Sequence, residues 1–328
     1  MSQPFDIAIV AQAGRLTYEA VLFAASLRHC APDFDGRLLV GEPQPGPLWP
    51  NDPRIEDDEA LALLERLGAT FVPFETRHFG ASYPHGNKVE FLAALDRDRP
   101  FVFFDTDTMI TGPIDRIAFD FARPSASMSR EGTWPNPPLY GPGYAEIWRA
   151  VYDRFGVDFE PTLDLSEPAT YWQRYLYFNA GWFFYNCAPT FAQAMIDKMV
   201  SLRDQPMPEL ASQSLFPWLD QIALPVTIAE LGGGRPGPEL DGLDGEITLH
   251  WRALPLLYAR GSDETLALLS EITAPNRIKK VLKAYEPFRR MVFQNRGAKV
   301  RALFDQSRLP SQEKILRNRI KREKLWMR

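Results

Sequence analysis

Cysteine is nearly missing: the 328-residue chain has two, Cys30 and Cys187. They give no disulfide framework and no zinc-ligand spacing. Together with the absence of a leader, this sets the expectation of a cytoplasmic, reducing location. No run of 18 apolar residues occurs, so no membrane-spanning helix is expected. The opening MSQPFDIAIVAQAG has no basic segment ahead of a long apolar one and reads as a first strand, not a signal peptide. Histidines number four, and His29, His78 and His85 have ordinary surroundings. The glycine-rich stretch 232–237 (GGGRPG) lacks the GK[ST] of a phosphate-binding loop and the order of a dinucleotide turn. It reads as a flexible connection. There is no internal repeat and no low-complexity tract.

What remains is ordinary for a soluble globular protein: 45% hydrophobic and 24% charged residues. The net charge of −5 conceals an asymmetry. From Arg277 onward there are 17 Lys+Arg against 4 Asp+Glu, a balance of +13, while the rest of the chain carries 20 against 38, a balance of −18. A basic tail on an acidic body suggests an anionic membrane surface or another polyanion as partner. Nucleic acid is not expected, and an oligomer is compatible with the pattern.

Strand-like and helix-like segments alternate through the first hundred residues. Asp6 to Val10, Arg37 to Gly41, Ala69 to Phe74 and Phe101 to Phe104 read as strands. Tyr18 to His29, Asp57 to Leu67 and Asn87 to Leu95 read as helices, and Gly68 is placed to end the second of these. That order predicts an open α/β sheet flanked by helices. Between residues 121 and 175 proline and aromatic residues dominate, with one helix around Ala145–Phe155. Such a long irregular stretch suits a lid or acceptor-binding segment. Tyr175 to Tyr185 returns to strand character, Pro189 to Leu202 to a helix, and Glu246 to Trp251 to a strand. From about Asp263 the sequence is helical. The expected division is a catalytic domain over 1–262 and a basic helical extension over 263–328.

The most telling stretch is Phe101-Val102-Phe103-Phe104-Asp105-Thr106-Asp107-Thr108. Four apolar residues make a strand buried on both faces, and it ends in two carboxylates one residue apart. Ligands of α/β sheets bind at the carboxyl ends of strands. Two hard oxygen donors there suit Mn²⁺ or Mg²⁺, and hence a phosphate-bearing substrate. A bare pair of this kind also occurs as a solvated turn. The neutral imidazole of His250, on a late strand beside Trp251 and Arg252, can complete a mixed nitrogen and oxygen site around the metal. Asp220-Gln221 follows an aromatic run, and Asp220 reads equally well as a helix cap. Asn179, in Asn-Ala-Gly between aromatic strands, is either part of a bulge or an amide for sugar hydroxyls. Lys88 and Arg15 are candidate phosphate contacts.

In order along the chain, an N-terminal nucleotide-binding half, DTD at Asp105–Asp107, FNAG at Phe178–Gly181 with Asn186 after it, Asp220-Gln221 and His250 resemble the GT-A glycosyltransferases. The retaining family 8 enzymes and their relatives are the nearest likeness. The resemblance covers about residues 5–255 and implies the GT-A fold, a Rossmann-like mixed sheet. It implies Asp105, Asp107 and His250 as metal ligands. Asn179, Asp220 and Gln221 would face donor sugar and acceptor, and the loop from Ala11 to Tyr18, with Arg15, would hold the base and ribose. Lys88, Asp105 and Arg252 join the donor contacts. The implied donor is a nucleoside diphosphate sugar, a UDP-sugar first. The implied acceptor is a glycan or a lipid-linked glycan precursor. Departures are specific. His250-Trp251-Arg252-Ala253-Leu254-Pro255 replaces the family's His, Gly and Lys-Pro-Trp, so the phosphate-contacting lysine is missing and Arg252 or Arg260 stands in. Gly86-Asn87-Lys88-Val89-Glu90 replaces its Ala-x-Tyr-x-Arg. If the enzyme retains configuration, Asp220 positions substrate; if it inverts, Asp220 is the natural general base.

The tail, with cations set among Leu, Ile, Phe and Trp, suits helices lying on the inner face of an anionic membrane, or packing on the acidic body. Two other readings compete. A haloacid-dehalogenase-like phosphatase would use Asp105 as nucleophile, but that motif belongs on a first strand and needs a later acidic pair. A nucleotide-sugar or glycan-binding protein without turnover would need no intact Asp105, Asp107 and His250.

Overall fold

The computed structural model describes residues 3–328. Its strands are β1 (Asp6–Val10), β2 (Leu38–Pro43), β3 (Ala69–Phe74), β4 (Phe101–Phe104), β5 (Thr108–Ile110), β6 (Ala126–Ser127), β7 (Asn179–Tyr185) and β8 (Thr248–His250). Every residue of β1 and β4 is buried. Alternation sends Ile7, Ile9, Val102 and Phe104 into one core and Ala8, Val10, Phe101 and Phe103 into another on the opposite face. Strands apolar on both sides need cover on both sides, which places them at the centre of a sheet.

The sheet runs β3-β2-β1-β4-β7-β6. Its first four strands are parallel. β7 is antiparallel to β4, and β6 pairs antiparallel with β7 across an irregularity at Ala126 and Ser127. The chain therefore steps outward from β1 to β3 and then returns to the other side of β1. Between the ends of β1 and β4 lies a topological switch point, the place where open α/β sheets leave a crevice. The expected mixed sheet flanked by helices is the one observed. The sequence suggested a strand from Tyr175, but pairing starts only at Asn179, because the partner β6 is two residues long. The extended residues Tyr175 to Phe178 are buried nonetheless.

Helices α1 (Arg15–Cys30) and α2 (Asp58–Arg66) cover the first face. Asp57 starts α2 by accepting the backbone N–H groups of Glu59 and Ala60. The second face is covered by α3 (Asn87–Leu92), α4 (Tyr144–Arg154), α5 (Ala188–Asp204) and α6 (Leu219–Glu230). Much of the proline-rich stretch 121–175 is packed into that second core through Trp134, Trp148, Tyr152, Phe159 and Tyr175. Leu139 and Tyr140 stay outside it, almost fully exposed. The glycine-rich connection is anchored: Gly234 N–H donates to Pro124 O, and Ser125 Oγ donates to Gly234 O.

The chain ends in α7 (Leu254–Arg260), α8 (Asp263–Thr273), α9 (Asn276–Leu282), α10 (Glu286–Phe293), α11 (Arg296–Arg301) and α12 (Glu313–Arg322). Their apolar residues, among them Leu269, Leu282, Phe288, Val300, Leu316 and Ile320, join the same core as α1 and β1. Lys280 pairs with Glu59 of the body, and Trp326 lies beneath Arg317. No helix of the described residues is long and apolar enough to cross a membrane.

Candidate active site

An open cavity of about 740 Å³ lies at the switch point, lined from the ends of β1, β4 and β7 and from α6, β8 and α12. That volume is within the range of small-molecule sites. Each wall has a local cause. The buried strand β4 runs out at Phe104, and the N–H of Asp105 is fixed by Gly181 O of β7 at 2.9 Å. Immediately afterwards β5 pairs antiparallel with β8, with Thr108 opposite His250. The N–H of Trp251 donates to Asp107 O at 2.9 Å. This short ladder brings a histidine 143 residues downstream against Asp107, with His250 Nε2 3.1 Å from Asp107 Oδ1.

Asp105, Asp107 and His250 offer ligand atoms that all lie within 4.8 Å of one another. Burial works against ionisation of Asp107. The His250 ring and Arg15, whose Nη1 is 3.6 Å from Oδ2, outweigh it and hold the carboxyl well below its usual range. The metal ligands suggested by the sequence are thus assembled, and two carboxylates with one imidazole form a donor set that fits Mn²⁺ better than Mg²⁺. Gly181 has a part in this. A Cβ on it would come within 2.3 Å of His250 Nδ1, so the ring packs directly on the glycine backbone. That ring nitrogen is buried without a partner among the described residues.

Lys88 does not present itself as a free phosphate contact. It is buried, its ammonium lying 3.0 Å from Asp105 Oδ1 and 3.3 Å from Asp220 Oδ2 and donating to Ala180 O. Burial would push its pKa down; Asp105 and then Asp220 more than offset this and raise it. Asp220, the second residue of α6, is 2% exposed. Tyr83 Oη donates to its Oδ1 at 2.7 Å and accepts its backbone N–H at 3.0 Å. Gln221 Oε1 accepts from Tyr177 Oη at 2.8 Å. Asn179 Nδ2 donates to Ser129 O at 2.8 Å. All four line the cavity with Arg15 and Arg252. Ala11 is fully buried in the core. Tyr18 donates to Asp57 and stacks on Tyr285 at 5.0 Å. Neither of these two lines the cavity; Gln12 and Ala13 of the same loop do.

Glu19, beside Arg15, carried no sequence signal of its own. Glu19 pairs with Arg15 at 2.7 Å, and burial, then Asp107, push its carboxyl up to about 8. Arg252 holds a left-handed backbone with φ of 60°, a costly state for a side chain of this size. Its guanidinium accounts for that conformation, reaching Glu313 at 3.2 Å, Glu131 at 3.6 Å and Ser129 O at 2.7 Å. Arg260 pairs with Glu131, and Arg317 with Glu313. Arg317 and Arg328 reach the cavity from the C-terminal end of the chain. The sequence offers the basic tail as a membrane-facing or body-packing extension and singles out neither of them.

With the fold and the cavity described, the sequence comparison gives the family. Residues 7–232 match the family described as the Rhodobacterales glycosyltransferase domain, and the chain belongs to that family. The match includes Asp105, Asp107, Asn179, Asp220 and Gln221 and stops short of His250. No curated protein sequence matches the chain. Among solved structures, it is similar to the galactosyltransferase LgtC in complex with donor and acceptor sugar analogs. Identity is 12%, the TM-score 0.41, and the coverage 71% of this chain and 73% of that one. It is also similar to the bifunctional glycosyltransferase WbbM, at 11% identity and a TM-score of 0.46, over 85% of this chain and 52% of that one.

Proposed function

We propose that the protein is a divalent-metal-dependent glycosyltransferase that moves a sugar from a nucleoside diphosphate sugar, a UDP-sugar first, to a glycan or lipid-linked acceptor with retention of configuration. The observation that carries this reading is the Asp105, Asp107 and His250 cluster at the switch point, facing a cavity that also holds Asn179, Asp220 and Gln221. Asp105, Asp107 and His250 would hold Mn²⁺. Bound there, the metal would supply Lewis-acid neutralisation of a diphosphate leaving group.

The chain's own residues have separable tasks. Lys88 fixes Asp105 and Asp220 relative to each other, since one ammonium lies within 3.3 Å of both. Arg15 and Arg252 place positive charge beside the carboxylates, where charge develops on the leaving group. Among the described residues Asn179 keeps its amide oxygen, and Gln221 its amide nitrogen, free of hydrogen bonds to the protein, so each can meet a sugar hydroxyl. Asp220 has both oxygens engaged, one by Tyr83 and one by Lys88. A general base needs a free lone pair aimed at the proton it takes. Held at both oxygens in this way, Asp220 suits a positioning role. The exposed cations of the tail, such as Lys283, Arg289, Lys299 and Arg319, would attach the enzyme electrostatically to an anionic inner membrane face.

The test is a panel of nucleoside diphosphate sugars scored for Mn²⁺-dependent thermal stabilisation, followed by release of nucleoside diphosphate on addition of acceptor. Asp107→Ala and His250→Ala should abolish the metal-dependent part. Stabilisation that persists in both variants would sink the proposal, and phosphate release without acceptor would favour a phosphatase using Asp105.

A further inference from the structure

The cations of the cavity are not equivalent. Arg15, Lys88, Arg252 and Arg317 each lie within 4.0 Å of at least one carboxylate. Arg130 does not: among the described residues no carboxylate lies that close to its guanidinium. One Nη donates to Tyr177 O at 2.9 Å, and the guanidinium plane rests over the Trp172 ring at 4.6 Å. Its Nε is buried with no partner. A second cation, Arg235, acts on it electrostatically. Arg235 is itself half-buried; it donates to the carbonyls of Thr162, Gln173 and Arg174 and is attracted by Asp164. Burial, and then Arg235, push the Arg130 pKa down to about 10.

An unpaired guanidinium taken out of water beside a second cation is unfavourable unless an anion arrives. It is also unexpected in this part of the chain, where acids outnumber bases almost two to one. Its place in the cavity fixes what kind of anion fits. Arg130 adjoins Tyr177, whose hydroxyl holds Gln221, so it stands on the side of the sugar-facing amides. The diphosphate position proposed above is at Asp105, Asp107 and His250. Both partners already holding the guanidinium, a carbonyl below and an indole face, are those that set a planar fork for two-oxygen recognition.

We infer that Arg130 forms an anion subsite at the sugar end of the cavity, so that one of the sugars handled by the enzyme carries a carboxylate or a phosphate. This rests on the proposed glycosyl transfer. The anion sits on the transferred sugar or on the acceptor, and the two are separable.

The experiment measures binding to the full chain with Mn²⁺, in wild type, Arg130→Gln and Arg130→Lys. In the donor arm, UDP, UDP-glucose and UDP-glucuronate are compared. In the acceptor arm, glucose, glucuronate and glucose 6-phosphate are titrated with and without saturating UDP. Wild type should prefer the anionic member of one arm, and Arg130→Gln should weaken that member about tenfold or more while UDP itself changes little. A preference in the donor arm puts the anion on the transferred sugar; a preference in the acceptor arm puts it on the acceptor. Equal binding of neutral and anionic sugars in both arms overturns the inference. So does a preference that survives Arg130→Gln, or a loss of UDP affinity as large as the loss of the anionic sugar, which would assign Arg130 to the leaving group. If Arg130→Gln fails to fold, Arg130→Lys decides: the preference should persist at reduced affinity, and an unchanged affinity overturns the fork. Failure of UDP and its sugars to bind at all speaks against the proposed donor, while the nucleotide-free acceptor arm still reads the subsite.

Discussion

Replacing Lys88 by methionine should destabilise the metal-free protein by about 3–5 kcal/mol, the cost of breaking a buried ion pair from one side. Methionine nearly conserves the volume, so cavity formation adds little. The electrostatic change is large. At 3.0 and 3.3 Å from Asp105 and Asp220, each attraction amounts to roughly 5 kcal/mol at an effective dielectric near 20, before desolvation is counted. Desolvation of the ammonium, whose side chain is 7% exposed, offsets much of that. What survives truncation is the penalty of leaving the 3%-exposed Asp220 side chain without its cation. A second substitution separates the terms: Lys88→Met with Asp220→Asn removes the orphaned charge and should recover a good part of the loss. Urea unfolding in metal-free buffer, followed by two probes to check for a two-state transition, measures all three variants. The reasoning fails if Lys88→Met costs less than about 1 kcal/mol, or if Asp220→Asn adds its full single-mutant cost to that of Lys88→Met. Mn²⁺ should restore part of the stability of Lys88→Met, because a cation held by Asp105 relieves the same carboxylates.

Four further outcomes follow from the geometry. Gly181→Ala forces a Cβ to within 2.3 Å of His250 Nδ1, and displacing the ring should lower Mn²⁺ affinity about tenfold, measured by metal titration; unchanged affinity would remove His250 from the metal site. Asp107→Asn should keep the fold but lose Mn²⁺-dependent stabilisation in a thermal shift, and a retained metal response would refute its role as ligand. Although burial opposes it, Arg260 and its neighbours hold the Glu131 carboxyl below its ordinary value; its contribution to stability is therefore present above the ordinary carboxylate range and lost as pH falls through the lowered value. Urea midpoints of Glu131→Gln should accordingly fall less steeply than wild type on the acid side, and parallel curves would refute the linkage. Leu316→Ala, in a fully buried side chain of α12, should destabilise the whole protein by about 2–5 kcal/mol, and a much smaller loss in global unfolding would show that the C-terminal helices fold apart from the body.

What could be read from the chain and what could not divide along physical lines. The central strands were legible because a strand covered on both faces must be apolar along its buried length, as FVFF is and as IAIV after Asp6 is. Asp105 and Asp107 were legible because a charge pair directly after such a strand has few structural uses. His250 was legible as a candidate, but its meeting with Asp107 depends on the three-residue ladder of β5 and β8, too short to leave a pattern. Lys88 was expected at the phosphate and lies instead between two carboxylates. Nothing in Gly-Asn-Lys-Val-Glu distinguishes a buried lysine from an exposed one, since the partners that decide it, Asp105 and Asp220, are 17 and 132 residues away. Tyr18 was expected at the nucleotide and turns to Asp57 and Tyr285, because it belongs to helix α1 and not to the loop before it.

The charge asymmetry of the sequence acquires a use in the structure. The body supplies carboxylates of the cavity: Asp105, Asp107, Glu131 and Asp220. The residues beyond 250 supply much of the answering charge: Arg252, Arg260, Arg317 and Arg328. The first three of these are held by Glu131 and by Glu313, one of the four acids of the basic tail. Their anchoring is mutual, since the N–H that starts α12 donates to Glu131 at 3.0 Å. The apolar side chains between the tail's cations point into the core, leaving Ile315 as the one exposed large hydrophobic among the described residues after 262. Any attachment of the tail to a membrane must therefore be electrostatic, because an interfacial helix needs an apolar face and this face is already spent on the body. An enzyme lacking the tail would thus lose both part of its core and part of the positive wall of its cavity, although the family match ends near residue 232.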